Sequence, residues 1–97
     1  MKTVRFHPEA REEFEKAVEY YEEHSPGLGL DLIELVRSSI ARLNRHPDAW
    51  PEVSKGIRRC QTNRIPFGVL YTVDDEIIFI LAVMHLHRHP EYWKHRS

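Results

Sequence analysis

The run Ile77-Ile78-Phe79-Ile80-Leu81-Ala82-Val83-Met84 decides the fold. Its β-branched and aromatic side chains favour an extended backbone. Eight apolar positions in succession leave no face for solvent, so the strand must lie inside a sheet covered on both sides or nearly so. The run is far shorter than the roughly 20 residues that cross a bilayer. Immediately before it, Asp74-Asp75-Glu76 reads as a turn, and Phe67–Val73 and Ile57–Asn63 read as two further strands. The last strand extends from Ile77 to Leu86.

Cover for this sheet comes from the first half of the chain. Lys2–Phe6 reads as a short strand closed by Pro8, which lacks an N–H and suits the first turn of a helix. From Glu9 to Glu23 the apolar residues Ala10, Phe14, Ala17, Val18 and Tyr21 draw one stripe along an acidic helix, with Glu9, Glu12 and Glu13 favouring its dipole. His24-Ser25-Pro26-Gly27-Leu28-Gly29 is dense in helix breakers. A second helix over residues 30–46 follows from Leu32, Ile33, Val36, Ile40 and Leu43, and the short connection makes the two helices antiparallel neighbours. Pro47, Trp50 and Pro51 end it and open a loop to about Gly56. The order β-α-α-β-β-β is that of a single α+β domain spanning residues 1–97. The helical hairpin covers one face of the sheet; part of the other is expected to present an apolar patch to a partner.

Composition agrees with a small soluble domain. The chain has 97 residues, 41% apolar and 30% charged, with no low-complexity tract. No apolar leader segment precedes the first strand, and a lone Cys60 can form no internal disulfide, so a cytoplasmic setting is expected. Net charge is −1, yet residues 51–97 carry seven Lys/Arg against five Asp/Glu, together with His85, His87, His89 and His95, so the second half is the basic one.

Several pieces occur together in one order: Phe6-His7-Pro8-Glu9-Ala10, the helix ending Tyr20-Tyr21-Glu22, Gly27-Leu28-Gly29, His46-Pro47, Trp50-Pro51, Ile57-Arg58-Arg59 and Pro66-Phe67. Tyr71, Asp74-Asp75, Ala82-Val83-Met84-His85 and Arg88-His89-Pro90-Glu91-Tyr92-Trp93 complete the series. In combination they resemble the RelE/ParE superfamily of toxins from type II toxin–antitoxin systems over nearly the whole chain. The resemblance implies a small antiparallel sheet with a helical hairpin on one face. It also implies a cognate antitoxin, contact with operator DNA only through that antitoxin, and a role of the kind known as plasmid stabilisation.

The superfamily holds two activities, since fold does not fix function. One branch cleaves mRNA, usually on the ribosome; the ParE-like branch poisons DNA gyrase. Metal-free RNA cleavage needs a general base, a general acid and fixed positive charge on the phosphate. His85 could move a proton near neutral pH, Arg58, Arg59, Arg64 and Arg88 could grip phosphate, and Tyr92 or His95 could donate a second proton. Against this, the RNA-cleaving relatives commonly carry an arginine where this sequence has Gly68, and a tip residue where it has Leu86. The Tyr-Tyr helix, the Gly-Leu-Gly turn and the Pro-Phe strand entry resemble the ParE-like side more closely. Inhibition by binding a protein such as gyrase is therefore the leading expectation. A ribonuclease is the alternative, and a degenerate toxin that only binds antitoxin is a third reading.

Plain readings stand beside these. His85 can end a buried strand with Arg88 in solvent. Arg58 and Arg59 point to opposite faces if extended, so one can serve a site while the other pairs with an acidic helix residue. Tyr20, Tyr21, Trp50, Tyr92 and Trp93 suit core and capping positions. His85, His87 and His89 alternate as zinc ligands could, but Pro90 and the strand end near Leu86 interrupt the alternation, and no metal or other cofactor is expected.

Overall fold

The computed structural model describes residues 1–87 and 91–96. Its elements are β1 (Thr3–Phe6), α1 (Pro8–His24), α2 (Leu28–Arg45), β2 (Glu52–Ser54), β3 (Ile57–Gln61), β4 (Phe67–Val73), β5 (Ile77–His85) and a 3₁₀ turn at Lys94–Arg96. This is the expected α+β arrangement, with the hairpin of α1 and α2 on one face of the sheet. None of the helices among the described residues is long and apolar enough to cross a membrane.

Local chemistry sets the helix ends. His7 caps α1, its Nδ1 accepting the Glu9 N–H at 3.1 Å, and Pro8 occupies the first turn. The two glycines of the hairpin turn serve different needs. Gly27 adopts φ +91°, a left-handed conformation that side chains resist. Gly29 lies where a Cβ would sit 2.8 Å from the Val18 carbonyl oxygen, so it permits close approach of α2 to α1. The Glu22 carboxylate ties the turn down by accepting the N–H groups of both, each at 3.1 Å.

The sheet runs β1-β5-β4-β3-β2. It differs from expectation in two ways. The stretch after Pro51, expected as loop, contributes β2, which pairs with β3 around Gly56 at φ +77°; three residues are too few for an alternating pattern to show. And β1 pairs with β5 in parallel, whereas β2, β3, β4 and β5 join antiparallel. Periodicity marks residues 3–6 as a strand but carries no information about its neighbour.

A bulge organises the central strand. Leu70 pairs with Ala82 and Tyr71 with Ile80, so Leu81 has no opposite number. Side-chain parity flips there. Ile78 and Ile80 before the bulge, and Val83 after it, join the cluster under the hairpin with Leu32, Val36 and Tyr71. Leu81, Ala82 and Met84 join a second cluster on the far face with Ile57, Leu70 and Trp93. The uninterrupted apolar run is thereby explained: both faces are covered. Among the described residues the far face does not offer the bare apolar patch expected from the sequence, because the chain folds its own Tyr92 and Trp93 over it.

Candidate functional site

Strand β3 sends its two arginines to opposite faces, as extended geometry requires. On the hairpin face, Arg58 Nη1 donates to the carbonyls of Trp50 at 2.5 Å and Asp48 at 3.3 Å. Its partner in register, Tyr71, donates its hydroxyl to the Pro47 carbonyl at 2.7 Å. Together they strap the loop after α2 to the sheet, so Arg58 holds loop carbonyls and not the acidic helix residue expected for one of the pair. Burial pushes the Tyr71 phenol up to about 12, with nearby Cys60 adding to the rise and Arg58 partly opposing it.

Arg59 crosses the far face. Its Cδ and Cγ lie 2.9 and 3.1 Å from where a Cβ on Gly68 would be, so the missing side chain at Gly68 makes room for the arginine stem. Arg59 lines a cavity of about 150 Å³ with Val53, Leu70, Met84, Leu86 and Trp93. The Nε of Arg59 and the Nε1 of Trp93 are both buried and bond to no described acceptor.

The bulge decides where His85 points. Its ring packs edge-on against Phe67 on the hairpin face at 5.6 Å, and its Nδ1 accepts the His87 N–H at 3.1 Å. Arg58 and His85 share a face but lie opposite Tyr71 and Phe67 respectively. Four residues along and two strands across put their Cα atoms about 16 Å apart. Arg59 is on the other side. Arg64 is exposed in the turn between β3 and β4. Arg88 and His89 lie outside the described residues, and among the described residues no group of three His, Cys, Asp or Glu side chains could hold a metal ion.

Tyr92 has a structural task. Its hydroxyl donates to the Glu13 carboxylate, and Arg96 lies over its ring at 5.1 Å. Glu13 also accepts from Arg96 Nη1 at 3.1 Å and from the backbone N–H of Val83 at 3.0 Å, while Arg96 Nη1 donates to the Leu81 carbonyl at 3.0 Å. The reason lies in the sheet: β1 pairs with β5 only as far as Ile80, so beyond it the polar groups of β5 need other partners. The pair is enclosed, with Arg96 and Glu13 side chains 6% and 9% exposed. One turn earlier on α1, Glu9 meets His95 Nε2 at 3.1 Å. The sequence marked Glu13 only as favourable to the helix dipole and did not mark Arg96. The available signal was two glutamates four apart on one helix face and two basic residues adjacent in the tail.

A second opening lies beside edge strand β1. Phe6, Phe14, Ile33, Val36 and Ile40 form an almost wholly apolar groove of about 190 Å³, with Arg37 at its rim. Phe6 and Phe14 stack at 6.4 Å, and Arg11 lies over Phe6 at 5.9 Å.

The described members of the candidate set, His85, Arg58, Arg59 and Tyr92, are therefore dispersed over two faces, with Arg58, His85 and Tyr92 each bonded to a neighbour. The fold is similar to that of a chain solved as "Chromosomal ParDE TA system from P. aeruginosa", with a TM-score of 0.77 and 18% identity over 90% of this chain and 98% of that one, a likeness of fold alone. No curated protein sequence matches significantly. The profile of the family described as "ParE toxin of type II toxin-antitoxin system, parDE" matches residues 4–90. Covering the hairpin and all of the sheet but Thr3, that match settles the chain's kinship: it belongs to the ParE toxin family.

Proposed function

We propose that this toxin arrests growth by binding a protein target, DNA gyrase, without chemistry of its own, and that a cognate antitoxin neutralises it in the cytoplasm. The observation that carries the reading is the dispersal of the acid–base set. His85 and Arg59 face opposite sides of the sheet, Arg58 is bonded to loop carbonyls, and Tyr92 to Glu13. A metal-free ribonuclease needs these groups around one phosphate. The groove beside β1 supports the antitoxin half of the reading. It offers apolar sockets, an unpaired strand edge and the exposed cations Arg11 and Arg37, which suit an acidic amphipathic segment that orders on binding. Contact with operator DNA belongs to the antitoxin in this reading.

Induction of the chain alone in a bacterial host tests the proposal, with two readouts from one culture: the SOS response and 5′-end mapping of mRNA. Growth arrest with a strong SOS signal and intact mRNA is expected, and His85→Gln should arrest growth as the parent does. Early mRNA fragmentation that His85→Gln abolishes would replace this reading with the ribonuclease one. Absence of any growth defect would leave antitoxin binding as the sole activity.

A further inference from the structure

We propose that the far-face cavity between Arg59 on β3 and Trp93 in the C-terminal segment is a socket for a carboxylate side chain, Asp or Glu, of a partner polypeptide. The inference rests on the reading that this chain acts by binding polypeptides, but not on which one. Two donors bring it to attention. Arg59 Nε–H and Trp93 Nε1–H are buried without a described acceptor, and both residues line the same cavity of about 150 Å³. Trp93 is only 2% exposed, held among Leu70, Leu81 and Met84, so its indole cannot turn out to water. Folded proteins rarely keep a buried donor without an acceptor, because its lost hydration is not replaced.

The chemistry of the lining narrows the occupant. A carboxylate carries two acceptor oxygens and can take one hydrogen bond from each donor. Arg59 keeps its charge at any accessible pH. At the rim Lys94 pairs with Glu91 at 2.9 Å. One guanidinium among apolar walls fits a single carboxylate better than the dense charge of a nucleic-acid backbone. Leu70, Met84 and Leu86 supply apolar wall for the methylenes that carry it. The guanidinium is also prepositioned, since its stem lies over Gly68, where any larger residue would displace it. Less rotamer freedom is then lost on binding.

Tryptophan side chains report on this directly, because the chain has two and only Trp93 lines the socket. Trp50 Nε1 is buried without a described acceptor as well and serves as the internal control. The isolated protein is titrated with N-acetyl-Leu-Glu-Leu amide, with its Leu-Gln-Leu counterpart and with inorganic phosphate at fixed ionic strength, while the indole N–H resonances are followed. The Glu peptide is expected to move the Trp93 signal downfield saturably and leave Trp50 in place. The Gln peptide should bind about tenfold more weakly, as loss of a charge-assisted bond requires. Arg59→Met, which keeps the stem over Gly68, should abolish the shift with the amide spectrum otherwise native; Arg59→Lys replaces it if that variant misfolds. Equal movement of both tryptophans, equal affinity of the Glu and Gln peptides, or no saturable shift overturns the proposal. Phosphate shifting Trp93 as strongly as the Glu peptide overturns it in favour of a phosphate ligand. None of these outcomes depends on growth arrest, so this inference and the proposed function fail separately.

Discussion

Replacing Glu13 by Ala should be among the most damaging single changes this domain can suffer. The carboxylate accepts from Val83 N–H, Tyr92 hydroxyl and Arg96 Nη1, and Arg96 would stay behind with its side chain 6% exposed. Removing one partner of a buried ion pair costs about 3–5 kcal/mol, mostly because the other charge is left without compensation. A chain of this length has a total stability of about 5–15 kcal/mol. At roughly 4–8 °C per kcal/mol for a domain of this size, the midpoint of thermal unfolding should fall by at least about 12 °C. Glu13→Gln keeps an acceptor for Val83 N–H but loses the charge, and should cost about 1.5–3 kcal/mol. Urea unfolding followed by far-UV circular dichroism measures both. The double change Glu13→Met with Arg96→Met should cost less than the sum of its two singles, by a coupling of about 0.5–3 kcal/mol. An alanine variant within about 1 kcal/mol of the parent, or strictly additive singles, would show that the pair does not clamp the C-terminal segment to α1.

Two further outcomes follow from local geometry. Gly29→Ala would force a Cβ to 2.8 Å from the Val18 carbonyl oxygen, so the helices must part and stability should drop by about 1–3 kcal/mol in the same urea assay. An unchanged midpoint would show that the hairpin turn has slack. Tyr71, with its phenol pushed up to about 12 by burial, gives stability that is whole below the unfolded value of about 10 and is lost as pH rises through the folded value. Alkaline titration followed at the phenolate absorbance should therefore show a late step coupled to unfolding. Tyr71→Phe should remove that step, at a cost near neutral pH of about 1 kcal/mol for the lost bond to Pro47.

Much of the fold was legible along the chain. Helical spacing at Phe14, Ala17, Val18 and Tyr21 and at Leu32, Val36 and Leu43 marked the two helices, because residues three and four apart share a face and must be buried together. Breakers at residues 24–29 marked the turn, and the apolar run at residues 77–84 announced a strand enclosed on both sides. The candidate site was less legible. Sequence reading correctly separated Arg58 from Arg59 by parity, yet it could not foresee that Leu81 is looped out of register, which turns His85 to the hairpin face. Nor could it pair Glu13 with Arg96 or lay the stem of Arg59 across Gly68.

The division has one physical cause. Periodicity, capping and turn chemistry act between residues a few positions apart, so the sequence by itself determined the two helices, three of the five strands in full outline, the first strand, and the family pattern. Partnership across the sheet depends on backbone groups meeting from distant parts of the chain. Only the tertiary structure decided that β1 joins β5 in parallel, that a bulge reverses the faces of β5, and that residues 91–96 fold back to cover the far face. From those three decisions come the dispersal of the ribonuclease-like set and the enclosure of Arg59 and Trp93 in one cavity.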